Sequence, residues 1–309
     1  MMILFIVQFN EAGLRPNIQR PLRIKHDEEQ ISVKFIDDFS AAASYNLLQA
    51  TEKENVPLQR PLTFHQRTGH KVKQDFHTIQ KEANEFIKFT DKNGFVVNAK
   101  KSEVITFNFS TKVSFPPDIS MGNGEILKET NHTTLLGVIL ESNLKWAKNT
   151  EKIYNKAASR LWMLRRLKRF DLDEEILKDF YIKEIRSIVE YAVPVWSNGI
   201  TLQQSKTIEK IQMYSVAIIL NNWTWSYYVK CTLLNIEPLF LRRNQICLSF
   251  SVRTAKSVKH AFFEKKKSPY NTRSKDMLYD EFNTRSQRFY NSPLVSLTRQ
   301  LNQHIRNKT

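Results

Sequence analysis

Near residue 150 the hydrophobic period of this chain changes, and that change constrains its fold more than any other feature. Before it, Ile31, Val33 and Phe35 alternate with Ser32, Lys34 and Ile36, and Ile105, Phe107 and Phe109 repeat every second residue, which is strand spacing. After it, Ile153, Ala157, Leu161 and Leu164 recur at helical spacing, with Lys152, Lys156, Arg160 and Arg166 on another face. A chain that is strand-rich first and helical afterwards belongs to the α+β class.

The first half divides into short elements. Met1 to Val7 is apolar but stops at Gln8, well short of the roughly 20 residues that span a bilayer, so it predicts a buried helix or strand and no membrane partner. Pro16 and Pro21 mark a loop that leads to a β-hairpin with Asp37 and Asp38 at its tip. Two carboxylates on one tight turn are the donor set that a hard divalent cation such as Mg²⁺ prefers, although aspartates are also ordinary turn residues. A short helix over 44–49 and a long polar loop follow. The loop holds His65 and His70, with His77 beside it, and these read as solvent-exposed histidines rather than a zinc site, since no cysteine or HxxxH pair accompanies them. Phe76, Ile79, Ala83, Phe86 and Ile87 predict a helix that Gly94 ends, and strands are predicted at 95–97 and 104–109 with Lys101 between them. Gly122-Asn123-Gly124 signals a turn, and one further strand is expected over 133–140 with Gly137 inside it.

In the second half, Asp173, Glu174 and Glu175 start a helix carried by Ile176, Phe180, Ile185, Ile188, Val189 and Ala192 to its end at Pro194. Trp196 is expected as a core anchor. Further helices are predicted over 203–220, with Ile208, Ile211, Ile218 and Ile219 inward, and over 239–252. Cys231 and Cys247 have no metal or disulfide spacing and read as buried free thiols in a reducing compartment.

Charge narrows the partner. The chain carries 47 Lys and Arg against 31 Asp and Glu, a formal +16. Residues 151–170 hold Lys152, Lys156, Arg160, Arg165, Arg166, Lys168 and Arg169 against Glu151 alone, and the segment 253–309 is also strongly basic. Such clustering is a surface for polyanions, nucleic acid before membrane. The tail mixes Arg273, Lys275, Arg285 and Arg288 with Tyr270, Tyr279, Phe282, Phe289 and Tyr290, which suits either single-stranded nucleic acid or a disordered polar terminus.

Five strings, in order, resemble the C-terminal half of a non-LTR, LINE-like retrotransposon reverse transcriptase. The first is Lys34-Phe35-Ile36-Asp37-Asp38, similar to that family's aromatic-x-Asp-Asp box, followed by Val97 to Glu103. Then come Leu135 to Leu140 with Leu144-Lys145-Trp146, Lys156 to Leu161 with Leu164 to Lys168, and Val189 to Trp196 with Ile208 to Gln212. The resemblance implies an incomplete reverse-transcriptase palm, a β-hairpin and short strands with a helix, followed by an all-α thumb. Its divisions are an N-terminal remnant over 1–30, partial palm over 31–149, helical thumb over 150–252 and basic aromatic tail over 253–309.

On this resemblance Asp37 and Asp38 are catalytic ligands of Mg²⁺, Lys101 is a general acid toward the departing pyrophosphate, and Gly137 helps hold a primer terminus. Residues 1–30 lack the family's upstream metal-binding aspartate and fingers. The implied protein is therefore a fragment of an RNA-directed DNA polymerase from a mobile element, a nucleotidyltransferase inactive as an isolated chain, with Mg²⁺ weakly held. Its implied partners are RNA template, DNA primer and the missing N-terminal half of the polymerase. Two other readings stand beside it: a non-catalytic nucleic-acid-binding protein that uses the basic helix and tail, and an interaction remnant with an exposed apolar face. An intracellular protein is expected, without a choice between nucleus and cytoplasm.

Overall fold

The computed structural model describes residues 102–107, 118–120, 124–256, 278–284 and 286–307, most of 80–92, the single positions 94, 97 and 263, and the backbone of strands at 2–8, 30–34 and 38–44. The chain divides into two compact units, Met1–Leu144 and Lys145–Thr309.

The first unit is built on a five-stranded sheet. Its strands are β1 (Met2–Gln8), β2 (Gln30–Lys34), β3 (Asp38–Ser44), β4 (Glu103–Phe107) and β5 (Lys128–Glu129), in the order β2-β3-β1-β4-β5. The apolar run at the N-terminus is thus the central strand, antiparallel to β3 on one side and β4 on the other. The expected hairpin is present: β2 and β3 pair antiparallel with Lys34 opposite Phe39. Within β4, Val104, Ile105 and Phe107 are buried. Helical residues 83–88 bury Ala83 and Phe86, and Gly94 at φ +70° donates its N–H to the Asp91 carbonyl at 3.2 Å.

The strand expected over 133–140 is two strands. β6 (His132–Leu135) and β7 (Val138–Glu141) form a hairpin joined by Leu136 and Gly137, at φ 47° and 80°. A two-residue hairpin loop with both central residues at positive φ follows the natural twist of the flanking strands, and it explains the glycine. Leu135, Leu140 and Leu144 pack on buried Ile105 and Phe107.

The second unit is helical. α1 (Ala147–Arg169) buries Ile153, Ala157, Leu161 and Leu164, the expected stripe. Its last turn carries Arg166, Lys168 and Arg169, cations that favour the negative end of the helix dipole. α2 (Glu174–Phe180) begins after Asp173 with Glu174 and Glu175 in its first turn, again as expected. The path beyond differs. A π-helical segment covers Tyr181–Arg186, α3 spans Ser187–Glu190, and Ala192 at φ 51° breaks the chain before α4 (Val193–Trp196).

The inward residues are Leu177, Tyr181, Ile185, Val189 and Val193, while Ile176 is exposed. Steps of four residues overshoot the α-helical turn by about 40° each, so an α-helix would swing this stripe away from the core. The wider winding of a π segment brings it back into line. Pro194 opens α4 rather than ending the preceding helix, because a proline in the first turn forfeits no hydrogen bond. Trp196 is fully buried and donates its indole N–H to the Tyr191 carbonyl at 2.9 Å.

A 3-10 turn, Ser197–Gly199, leads to α5 (Leu202–Ile219), which starts in a capping box between Thr201 and Gln204 and buries Ile208, Ile211, Ile218 and Ile219. α6 (Tyr227–Leu233) was not anticipated. α7 (Leu239–Lys256) extends the expected fourth helix to Lys256. In the tail, α8 (Gln287–Tyr290) precedes α9 (Pro293–Arg306), whose Val295, Leu297 and Leu301 are buried and which packs on α7. Those residues of the tail form a core-bound helix, because one face of Pro293–Arg306 is apolar enough to offset the entropy of ordering it.

Two sheets followed by helices make this an α+β chain. Among the described residues no helix is long and apolar enough to cross a membrane.

Candidate nucleic-acid interface

α1 sets most of its charge apart from its buried stripe. Its core face is fixed by Ile153, Ala157, Leu161 and Leu164, so the remaining surface must carry Lys148, Lys152, Lys156, Arg160, Arg165, Arg166, Lys168 and Arg169, against Glu151 alone. Lys148, Lys152, Lys156 and Arg166 are exposed and share one side, a row about 27 Å long at 1.5 Å per residue. Arg160 is half-buried at its edge. Arg165, Lys168 and Arg169 fan around the C-terminal end, since each step along the helix turns about 100°. Among the described residues no carboxylate lies within ion-pair distance of Lys156, Arg160, Arg165, Arg166, Lys168 or Arg169.

Some cations elsewhere in the helical unit are paired. Arg242 donates to Glu190 at 2.5 Å, which holds its guanidinium pKa up, and Arg186 lies 3.6 Å from the same carboxylate. Arg243, whose pKa burial lowers, donates to Ser205 at 2.6 Å and sits 3.7 Å from Glu209.

The unit that presents this row is tied together by Gln212, buried on α5. Its carbonyl accepts the Tyr181 hydroxyl at 2.5 Å, and its amide donates to the Tyr227 hydroxyl at 2.9 Å and to the Glu237 carbonyl at 2.8 Å. Tyr227 in turn donates to Glu209 at 2.6 Å. Burial raises the pKa of both phenols and of the Cys231 and Cys247 thiols, which are free and buried as expected.

Exposed aromatic groups lie in the C-terminal half of α1 and just beyond α5. Trp162 is 57% exposed, with the Arg166 guanidinium 4.9 Å from its ring centroid. Trp223 and Trp225, 59% and 49% exposed, stand on the turn between α5 and α6. The sequence reading singled out none of the three. The signal available was a pair of tryptophans inside a run of turn-forming residues, Asn221 to Ser226.

Of the residues named from the sequence, Lys152, Lys156, Arg160, Arg165, Arg166, Lys168 and Arg169 lie on this one helix. Gly137 lies in the β6–β7 turn of the first unit. Asp37 and Lys101 lie outside the described residues, as does the side chain of Asp38, whose backbone opens β3, and so does the Mg²⁺ site assigned to the two aspartates. His65, His70 and His77 also fall outside them. Among the described residues no group of three His, Cys, Asp or Glu could hold a metal ion.

Residues 146–187, from the start of α1 through the π segment, match the family described as alkylated DNA repair protein alkB homolog 8, N-terminal. The match covers well under half of the chain. No curated protein and no solved structure matches. This finding overturns the resemblance to a retrotransposon reverse transcriptase, and with it the fragment of an RNA-directed DNA polymerase, the mobile-element origin and the palm and thumb names. The family matched over α1 is not a reverse transcriptase. The helical strings that carried the resemblance have a simpler cause: Ala157, Leu161, Leu164, Val189, Val193, Trp196, Ile208 and Ile211 are core residues. Packing of a helical unit selects such residues whatever the unit does.

Proposed function

We propose that this chain binds nucleic acid through the exposed basic side of α1. The observation that carries the reading is the segregation of eight cations and one anion onto a 23-residue helix whose opposite face is buried. Lysines four residues apart stand on the same side about 6 Å apart along the axis, so several can meet successive charges of a phosphate backbone at once. Most of their affinity comes from counterion release and is indifferent to base sequence. The family matched by residues 146–187 carries DNA repair in its description, which supports a nucleic-acid partner for this segment.

The test is a mobility-shift titration of the full chain on a labelled oligonucleotide, beside the triple variant Lys152→Gln, Lys156→Gln, Arg166→Gln. These side chains are exposed, so the variant retains the fold. A shift by the wild type that the variant loses supports the reading. Equal shifts, or none by the wild type at about 50 mM salt, reject it.

A further inference from the structure

We infer that the turn between α5 and α6 is a stacking surface for unpaired nucleobases, so that the preferred ligand is single-stranded nucleic acid. The inference rests on the reading of α1 as a nucleic-acid interface and adds the class of strand.

The two helices begin at the same end. Gln204, in the first turn of α5, donates its side-chain amide to the Lys145 carbonyl just before α1, and the two helices then pack against each other. They run in the same direction, and α1, ending at Arg169, extends about 14 Å beyond the end of α5. Trp162 stands 17 residues beyond Lys145, and Ile219 stands 15 beyond Gln204, which at 1.5 Å per residue is about 26 Å and about 22 Å along each helix. Trp162 and the start of the α5–α6 turn therefore sit at similar heights, and Arg165, Arg166, Lys168 and Arg169 follow about 5–11 Å further along α1.

The turn is built to hold its tryptophans out. The Asn222 side-chain carbonyl accepts the Trp225 N–H at 2.8 Å and the Thr224 N–H at 3.1 Å, and the Asn222 N–H donates to the Ala217 carbonyl at 3.1 Å. Lys230, buried, donates its ammonium to the Asn222 carbonyl at 3.3 Å. Tyr214 lies with its ring centroid 6.4 Å from that of Trp223. Both indoles are presented to solvent, and residues 220–226 contain no acidic group.

Exposed rings on a unit that also presents arginines without a carboxylate partner suit a strand whose bases are free to stack while its phosphates meet the cations. A duplex hides its base faces and would engage the cations alone. A protein partner would need an acidic, apolar surface, and it enters the test as the competing outcome.

The experiment is fluorescence anisotropy of a labelled single strand and of the blunt duplex of the same sequence, titrated with the full chain as wild type and as Trp223→Ala/Trp225→Ala. The same titrations use the triple glutamine variant of α1. The wild type is expected to bind the single strand at least tenfold more tightly than the duplex. The tryptophan variant is expected to lose about tenfold for each ring on the single strand and nothing on the duplex. The glutamine variant should weaken on both. Equal wild-type affinities, or a tryptophan variant that binds the single strand as tightly as the wild type, overturn this inference while leaving the α1 reading standing. Absence of wild-type binding to either strand form rejects both. Because the two indoles are exposed, an unchanged melting temperature confirms that the variant is folded.

Discussion

Trp146 covers Gly199 so closely that a Cβ on the glycine would collide with the indole Nε1 and stand 2.8 Å from its Cδ1. Trp146 is buried at the start of α1 with φ 61°, and Thr150 closes the first turn by donating its hydroxyl to the Trp146 carbonyl at 2.7 Å. The pair fixes the start of the basic helix against the 3-10 turn that precedes α5. Gly199→Ala should therefore overpack the site and cost about 1–3 kcal/mol. In a thermal melt that is a drop of about 2–4 °C per kcal/mol for a chain of this size. An unchanged melting temperature would mean that the indole moves aside freely.

Gln212 is the second point of fixation, since it bridges Tyr181 in the π segment, Tyr227 on α6 and the backbone at Glu237. Gln212→Leu leaves the buried Tyr181 hydroxyl without its acceptor and the Glu237 carbonyl without its side-chain donor, and is expected to lower stability by about 1–3 kcal/mol for each group left unpaired. Urea denaturation would show this as a lower midpoint at an unchanged slope. Tyr227→Phe, which removes the hydroxyl itself, should cost less.

The buried thiols and phenols make stability fall in alkali. An unfolded thiol loses its proton near pH 9.0, whereas burial pushes Cys247 up to about 11, and Cys231, Tyr181 and Tyr227 are raised as well. Between those limits the folded chain holds more protons than the unfolded one, so unfolding becomes easier as pH rises. The contribution is complete below about pH 9 and declines from there toward pH 11 and beyond. Urea midpoints at about pH 8 and about pH 10.5 should differ, and Cys247→Ala should narrow the difference. Identical midpoints for the wild type would contradict the burial of these groups.

Legibility in the sequence followed the kind of signal each element carries. The α1 stripe was readable because Ile153, Ala157, Leu161 and Leu164 repeat at the period of an undistorted helix, and the β2–β3 hairpin because its alternation has period two. The stripe from Leu177 to Val193 was misread, since it steps by four and works only through a π segment that no α-helical template anticipates. Gly137 was placed inside a strand because apolar residues flank it on both sides, although the turn needs only Leu136 and Gly137 at positive φ. Helix α9 was obscured by its polar surroundings. For function, charge on α1 was legible as charge. Short strings of core residues, by contrast, carried a family resemblance that the match over residues 146–187 overturns. The exposed tryptophans were missed because sequence alone does not distinguish a ring turned outward from one in the core.

The salt dependence of binding tests the central claim most directly. Association constants of the full chain for a single-stranded oligonucleotide, measured from about 50 to 200 mM salt, should fall linearly in log K against log salt. The triple variant Lys152→Gln, Lys156→Gln, Arg166→Gln should bind more weakly and reduce the slope by about 0.7 for each phosphate contact removed, close to 2 in all. A triple variant with the wild-type slope and affinity would place the interface somewhere other than α1.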